Sequence, residues 1–250
     1  MAESTLAVTK TELDIAIADF LGWGRTSGNW STAQQNRINQ ARDEGLARFY
    51  AAHQWNFLSP ATTLTLTADD YTYDLPADFG SMVGDFNYAA DESYPQLVQR
   101  SPQWIREQLA LSDSSGVPAY FAIESKTQTG ESAGTRWQAL LCPPPQEAWV
   151  LHYRYSILRD ALSSSYPYPA GGAATRSALM ASCLAYADAL WNDGVGQWEN
   201  RYQQELLPLA IKQDGLTRPA NLGQMRERSD GQEYERNIDR YSYYNGVLPS

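Results

Sequence analysis

The hydrophobic period of this chain changes twice, and that constrains its fold more than any other feature. Apolar residues recur at helical spacing up to Trp55, alternate at a period of two in segments from Thr62 to Tyr155, and return to helical spacing from Leu179 to Leu209. An alternating segment buries one face only as a strand, so the pattern calls for helices at both ends of the chain around an inserted sheet region. The expected class is α+β: a helical bundle from N- and C-terminal helices with an inserted antiparallel β-rich domain and an extended C-terminal arm. The boundaries fall at residues 1–57, 58–160, 161–216 and 217–250.

Local signals fill in this outline. Thr9 with Glu12, and Ser31 with Gln34, read as capping boxes. The first opens a helix with Leu13, Ile17, Phe20 and Leu21 on one face. A loop over 22–29 follows, and the second opens a longer helix with Ile38, Ala41, Gly45, Leu46 and Phe49 in a stripe. Leu64 and Leu66, then Tyr71, Tyr73 and Leu75, alternate across Ala68-Asp69-Asp70 and predict a hairpin. Further strands are predicted over 82–88, 120–125, 136–142 and 149–155. Ser101 and Pro102 start a short helix to Leu111. After the Ser- and Pro-rich loop over 166–172, Leu179, Cys183, Ala187, Leu190 and Trp191 share a helical face. Trp198, Tyr202, Leu206 and Leu209 resume it, with an irregularity expected at Pro208, which has no amide to donate.

From Thr217 no period survives. The tail carries five arginines against five acids and few aliphatics, so it is expected to be disordered alone and to bury its tyrosines on a partner. Extended, it would span on the order of 100 Å.

A chain of 250 residues can bury a core without metal or disulfide support. The net charge of −10 opposes nonspecific binding to nucleic acid, which requires a basic face. Two cysteines, Cys142 and Cys183, make no disulfide framework and are expected to be buried in a reducing compartment. No leader-like N-terminus and no apolar run of roughly 18 residues is present, so the protein is expected to be soluble, unexported and without membrane contact.

Catalytic motifs are missing from the sequence. The two histidines, His53 and His152, stand outside any cluster spacing, and no CxxC, HExxH, GxSxG or phosphate-binding loop occurs. No catalytic residue, cofactor or metal site is expected. Asp69, Asp70, Asp78, Asp91, Glu92 and Glu124 could supply a hydrolytic pair, but turn roles account for them better. A hydrolase, from those carboxylates, and a glycan-binding protein, from the aromatic content, stand as alternatives, which the resemblance below would make a tail-associated peptidoglycan hydrolase or a glycan-binding tail component.

The stretch Trp55-Asn56-Phe57, the following Tyr73-x-Leu75-Pro76-x-Asp78-Phe79, the β-rich middle, the aromatics Tyr186, Trp191, Trp198 and Tyr202, and the exit at Asp214-Gly215 together resemble one family. It is that of bacteriophage head-to-tail adaptor (connector) proteins of the tail tubular protein A kind. The resemblance covers about Gln34 to Gly215. It implies a virion structural protein at the neck, built in the host cytoplasm as a homo-oligomeric, dodecameric ring. The ring would join the portal to the tail nozzle or tube protein and continue a channel through which DNA passes without specific binding. In this reading Trp55, Phe57, Tyr73, Pro76 and Phe79 form a structural hinge between helix and sheet. The C-terminal arm binds the portal through Tyr234, Tyr241, Tyr243, Tyr244, Val247 and Leu248.

Overall fold

Both capping boxes form. The Thr9 hydroxyl accepts from the Glu12 N–H while the Glu12 carboxylate accepts from the Thr9 N–H, so amides that a helix start would leave unpaired find partners. Helix α1 then runs Lys10–Phe20. Ser31 and Gln34 reciprocate in the same way at the start of α2, Thr32–Ala51. The computed structural model describes residues 3–89, 92–111, 114–126, 134–192 and 196–216. The elements set out here lie within the compact unit Met1–Gly215.

The β region contains eight strands among the described residues: β1 Ala61–Thr65, β2 Thr72–Asp74, β3 Phe79–Met82, β4 Asn87–Tyr88, β5 Val98–Gln99, β6 Tyr120–Ser125, β7 Trp137–Cys142 and β8 Val150–Ile157. One sheet is centred on β8, with β1 paired on one side and β3 and β4 on the other, all antiparallel. The second has the order β2-β7-β6-β5. In β8, Leu151, Tyr153 and Tyr155 point inward while Val150, His152 and Arg154 face out, the alternation expected of a sheet with one buried face. The β core between the sheets is rich in aromatic rings, including Phe79, Phe86, Phe121, Trp149 and Tyr155.

Strand β7 is buried on both sides. Ala139 and Leu141 belong to the β core, whereas Leu140 and Cys142 join Ala122 and Ile105 in a smaller cluster under α3, Pro102–Leu111. Its continuous apolar run, Ala139 to Cys142, is the sequence correlate of this double cover.

The expected hairpin over 62–75 does not form. Its first arm, β1, pairs with β8, and its second arm, β2, pairs with β7 in the other sheet. Asp69 adopts φ +63°, its N–H donates to the Pro145 carbonyl, and the Tyr73 hydroxyl donates to the Thr67 and Asp70 carbonyls and accepts from the Thr67 N–H. The turn therefore carries the chain from one sheet to the other. The single strand expected over 82–88 is broken at Gly84, φ +86°, into β3 and β4. Strand β5 was not foreseen, and it pairs parallel to β6 in an otherwise antiparallel arrangement.

Helix α4, Arg176–Asn192, is buried almost all round from Ala178 to Asp188 except at Met180 and Tyr186, which are half-buried, and packs against both α1 and α2. The single apolar stripe read from spacing was too narrow for this central helix. It was also too long: Phe20, Leu190, Trp191 and Leu209, all assigned to core faces, are substantially exposed. Trp23 and Trp191 meet edge to face at 5.9 Å at that end of α4.

Helices α5, Gln197–Arg201, and α6, Leu207–Gly215, are joined through a π-helical turn over Tyr202–Leu206. Pro208 accounts for it: the missing amide removes one i to i−4 bond, and the turn before it widens. Tyr202 falls in this turn and is fully buried in the helical core with Leu13, Ile38, Phe49, Trp55 and Leu179.

Candidate functional site

The Trp55-Asn56-Phe57 segment is where the helical core hands the chain to the β region. Trp55, 1% exposed, stacks between Phe49 at 4.5 Å and Phe57 at 5.3 Å, and its indole N–H donates to the Phe49 carbonyl at 3.1 Å. The buried ring thus keeps its one polar atom satisfied by the end of α2. Asn56 begins a short 3₁₀ turn, Asn56–Leu58, whose first amide is met from the far end of the chain. The Asp214 carboxylate accepts from the Asn56 N–H with both oxygens at 3.1 Å, and the Asn56 side-chain amide donates to the Asp214 carbonyl at 3.1 Å. Asp214 is buried, and His53 Nε2 lies 3.8 Å from its carboxylate. This two-way clasp joins the end of α6 to the turn that follows α2. Sequence reasoning had singled out both of its partners, in Trp55-Asn56-Phe57 and Asp214-Gly215, but nothing in either motif discloses that they touch.

The other three residues assigned to the hinge lie elsewhere. Tyr73 and Phe79 are buried in the β core, where Phe79 stacks on Tyr155 at 5.7 Å, and Pro76 is half-buried with its carbonyl accepting from the Phe79 N–H. The structure groups Trp55 with Phe57 and Tyr73 with Phe79, in two different clusters. Between the clusters the chain leaves and returns side by side. Arg154 of β8 donates twice to the Ser59 carbonyl, at 3.1 and 2.7 Å, and the Ser59 hydroxyl donates to the Trp55 carbonyl. On the return, the Ala170 N–H donates to the Tyr50 hydroxyl at 2.9 Å, and burial pushes that phenol up to about 12. Gly171, at φ +111°, has no room for a side chain: a Cβ there would collide with the Thr175 hydroxyl and lie 3.2 Å from the Phe57 ring. A groove of about 440 Å³ opens at this junction, lined by Tyr50, Asp78, Leu158, Tyr166 and Tyr168 among others.

Buried and half-buried ion pairs tie the helices together. Asp14 of α1 accepts from Arg42 of α2 at 2.6 Å and from Lys10 at 2.9 Å, with Arg42 also held by Asp43 and Asn39. Arg48 grips Glu199 with both terminal nitrogens and lies over the Tyr202 ring at 5.0 Å. The hydrogen bonds from Arg48 hold the Glu199 carboxyl below its ordinary value of 4.5. Burial raises the Cys183 thiol to about 12, so this cysteine is an apolar filler and a poor nucleophile.

Four of the carboxylates considered for hydrolysis are engaged structurally. Asp69 accepts from the Ser115 hydroxyl, Asp70 from the Thr72 N–H at 3.0 Å, Asp78 from the Tyr155 hydroxyl at 3.1 Å, and Glu124 from Arg106 at 2.5 Å and Gln138 at 2.7 Å. His152 is exposed on β8. Among the described residues no three His, Cys, Asp or Glu groups converge as a metal site, and no helix is long and apolar enough to cross a membrane. Asp91 and the tail residues Tyr234, Tyr241, Tyr243, Tyr244, Val247 and Leu248 lie outside the described residues.

Comparison with known proteins gives one family. The model of the family described as SU10 adaptor protein matches residues 8–226, which span the helical core, the β region and the Asp214 clasp. No curated protein matches the chain.

Proposed function

Because this chain belongs to the SU10 adaptor protein family, a family of phage head-to-tail adaptors, we propose that it forms the neck ring joining the portal to the tail nozzle or tube. The observation that supports this is the extent of the match: it runs from the first helix through the β region to beyond α6, so the relationship takes in the architecture as a whole. Function then resides in geometry. The helices and the two sheets belong to one compact unit, and an acidic chain, at −10, lines a DNA passage without holding the duplex. Twelve copies related by a closing rotation complete the ring in this reading. The tail beyond Thr217 is the portal-binding arm, with Tyr234, Tyr241, Tyr243, Tyr244, Val247 and Leu248 as its anchors, and many weak arms acting around a ring hold the portal together.

Two experiments test this reading. A reconstruction of the particle neck is expected to show the protein as a ring directly beneath the portal; finding it at the distal tail tip would overturn the assignment. Deletion of residues 233–250 is expected to leave a folded protein that no longer binds portal rings in a pull-down. Undiminished binding would move the portal contact to the body. The hydrolase alternative receives no support from Asp69, Asp70, Asp78 and Glu124, which close turns and pair with neighbouring side chains.

A further inference from the structure

We propose that Arg100, with Trp104 and Tyr120, is a subunit contact that takes a carboxylate from a neighbouring copy of this chain. The inference rests on the ring reading above and names the contact that reading requires. Arg100 is exposed, immediately after the edge strand β5, and its guanidinium lies over two rings, 5.4 Å from the centre of Tyr120 and 5.8 Å from that of Trp104. The two rings meet edge to face at 4.9 Å. They are fixed from below, because both pack on the cluster of Ile105, Ala122, Leu140 and Cys142. The Arg100 N–H donates to the Phe121 carbonyl; among the described residues its side chain makes no hydrogen bond or ion pair besides the ring contacts. The other arginines near this sheet are committed, Arg106 to Glu124 and Arg136 to the Ala77 carbonyl.

A guanidinium held flat on aromatic rings has lost its freedom in advance while its N–H donors remain open, the arrangement that gives planar, two-point recognition of a carboxylate. Trp, Tyr and Arg together are also the residue types that dominate binding energy at protein interfaces. An open depression of about 520 Å³, lined by Gln99, Arg100, Ser101 and Trp104, leaves room for the incoming group. Val98, 44% exposed on the same edge, adds apolar surface beside it. Charge complementarity favours a second copy: with 29 acids against 19 basic residues, every copy carries carboxylates in excess, and the ring reading sets copies side by side. A head-to-tail contact, with this site on one copy and an acidic surface on the next, is also the kind that generates a ring.

The test uses assembled particles carrying a photo-crosslinking phenylalanine analogue in place of Gln99. Illumination is expected to yield adaptor–adaptor products, and mass spectrometry to place the second site in an acid-bearing segment. Arg100→Ala and Arg100→Glu in the same background are expected to reduce those products about tenfold or more, with Arg100→Lys in between because it keeps charge and loses the planar fork. Thermal unfolding of the Arg100 variants should match the parent, since the side chain is exposed. Products only with portal, tail protein or DNA, or unchanged adaptor–adaptor yield in Arg100→Glu, would overturn the proposal while leaving the adaptor reading intact. Particles that contain none of the protein would overturn both.

Discussion

The helical core and the β core exclude water in different ways. Helix α4 buries many small residues, Ala178, Ala181, Cys183, Ala185 and Ala187, beside Leu179 and Leu184, so that helices can approach it closely. A Cβ built on Gly45 of α2 would lie 2.5 Å from Cys183 Cα, and the Ser182 hydroxyl donates to the Gly45 carbonyl at 2.7 Å. The β core is filled by rings, with Phe86 edge to face on Phe121 at 4.9 Å and Trp149 against both Tyr88 and Tyr94. The difference follows from geometry: facing sheets stand about 10 Å apart and need long side chains between them, whereas helices can close until backbones touch. The α2–α4 contact should therefore suffer most from added volume and the β core from removed volume, while the ring cluster of Phe49, Trp55 and Tyr202 gives the helical core an aromatic part of its own.

The sharpest test removes rings. Phe86→Ala and Trp55→Ala are each expected to cost about 3–5 kcal/mol, read from the denaturant midpoint at constant slope. A mild Trp55→Ala would show that the stack between Phe49 and Phe57 does not hold the helical core together. Next comes addition. Gly45→Ala should destabilise by about 1–3 kcal/mol although alanine is the better helix former by about 1 kcal/mol, because the obstructing atoms are the backbone of Cys183. A gain in stability there would show that α2 and α4 can slide apart freely.

Asp214→Ala leaves the Asn56 N–H without its acceptor and should cost about 1–2 kcal/mol, a typical value for a lost cap, seen as a lower midpoint and faster exchange of the Asn56 amide. Unchanged exchange would mean that another group holds that turn. The smallest effect concerns Glu199, whose pairing with Arg48 is partly exposed and worth less than about 1 kcal/mol. Its carboxyl is held low in the folded state, so its contribution is present above the ordinary value of 4.5 and is lost as pH falls through the folded value. Glu199→Gln should be less stable than the parent at neutral pH and should converge with it in acid. Parallel midpoint curves across that range would remove the pair from the account.

How much was legible depended on how local the cause was. Thr9 with Glu12 and Ser31 with Gln34 are three residues apart and form their caps wherever the helix goes, so both starts were readable. Strand β6, Tyr120–Ser125, and helix α3 after Ser101-Pro102 were readable for the same reason. Pairing was not. Leu64 and Tyr73 each alternate well, but which strand each joins depends on β7 and β8, sixty or more residues away, and on the Asp69 turn that sends them to different sheets. The candidate site divides likewise: Trp55 and Asp214 stood out in the sequence, whereas their shared clasp and the Arg100 platform arise only from packing.

The sequence by itself determined the class of this protein and the order of its parts, because period and caps are set by residues a few positions apart. Its family also follows from the sequence, through the match over residues 8–226. Only the tertiary structure decided that α4 is central, that β8 gathers β1, β3 and β4, that Leu190 and Trp191 stay at the surface, and that Asn56 meets Asp214. The physical reason is that burial and hydrogen-bond partnership belong to pairs of surfaces, and a linear pattern describes only one surface of each pair.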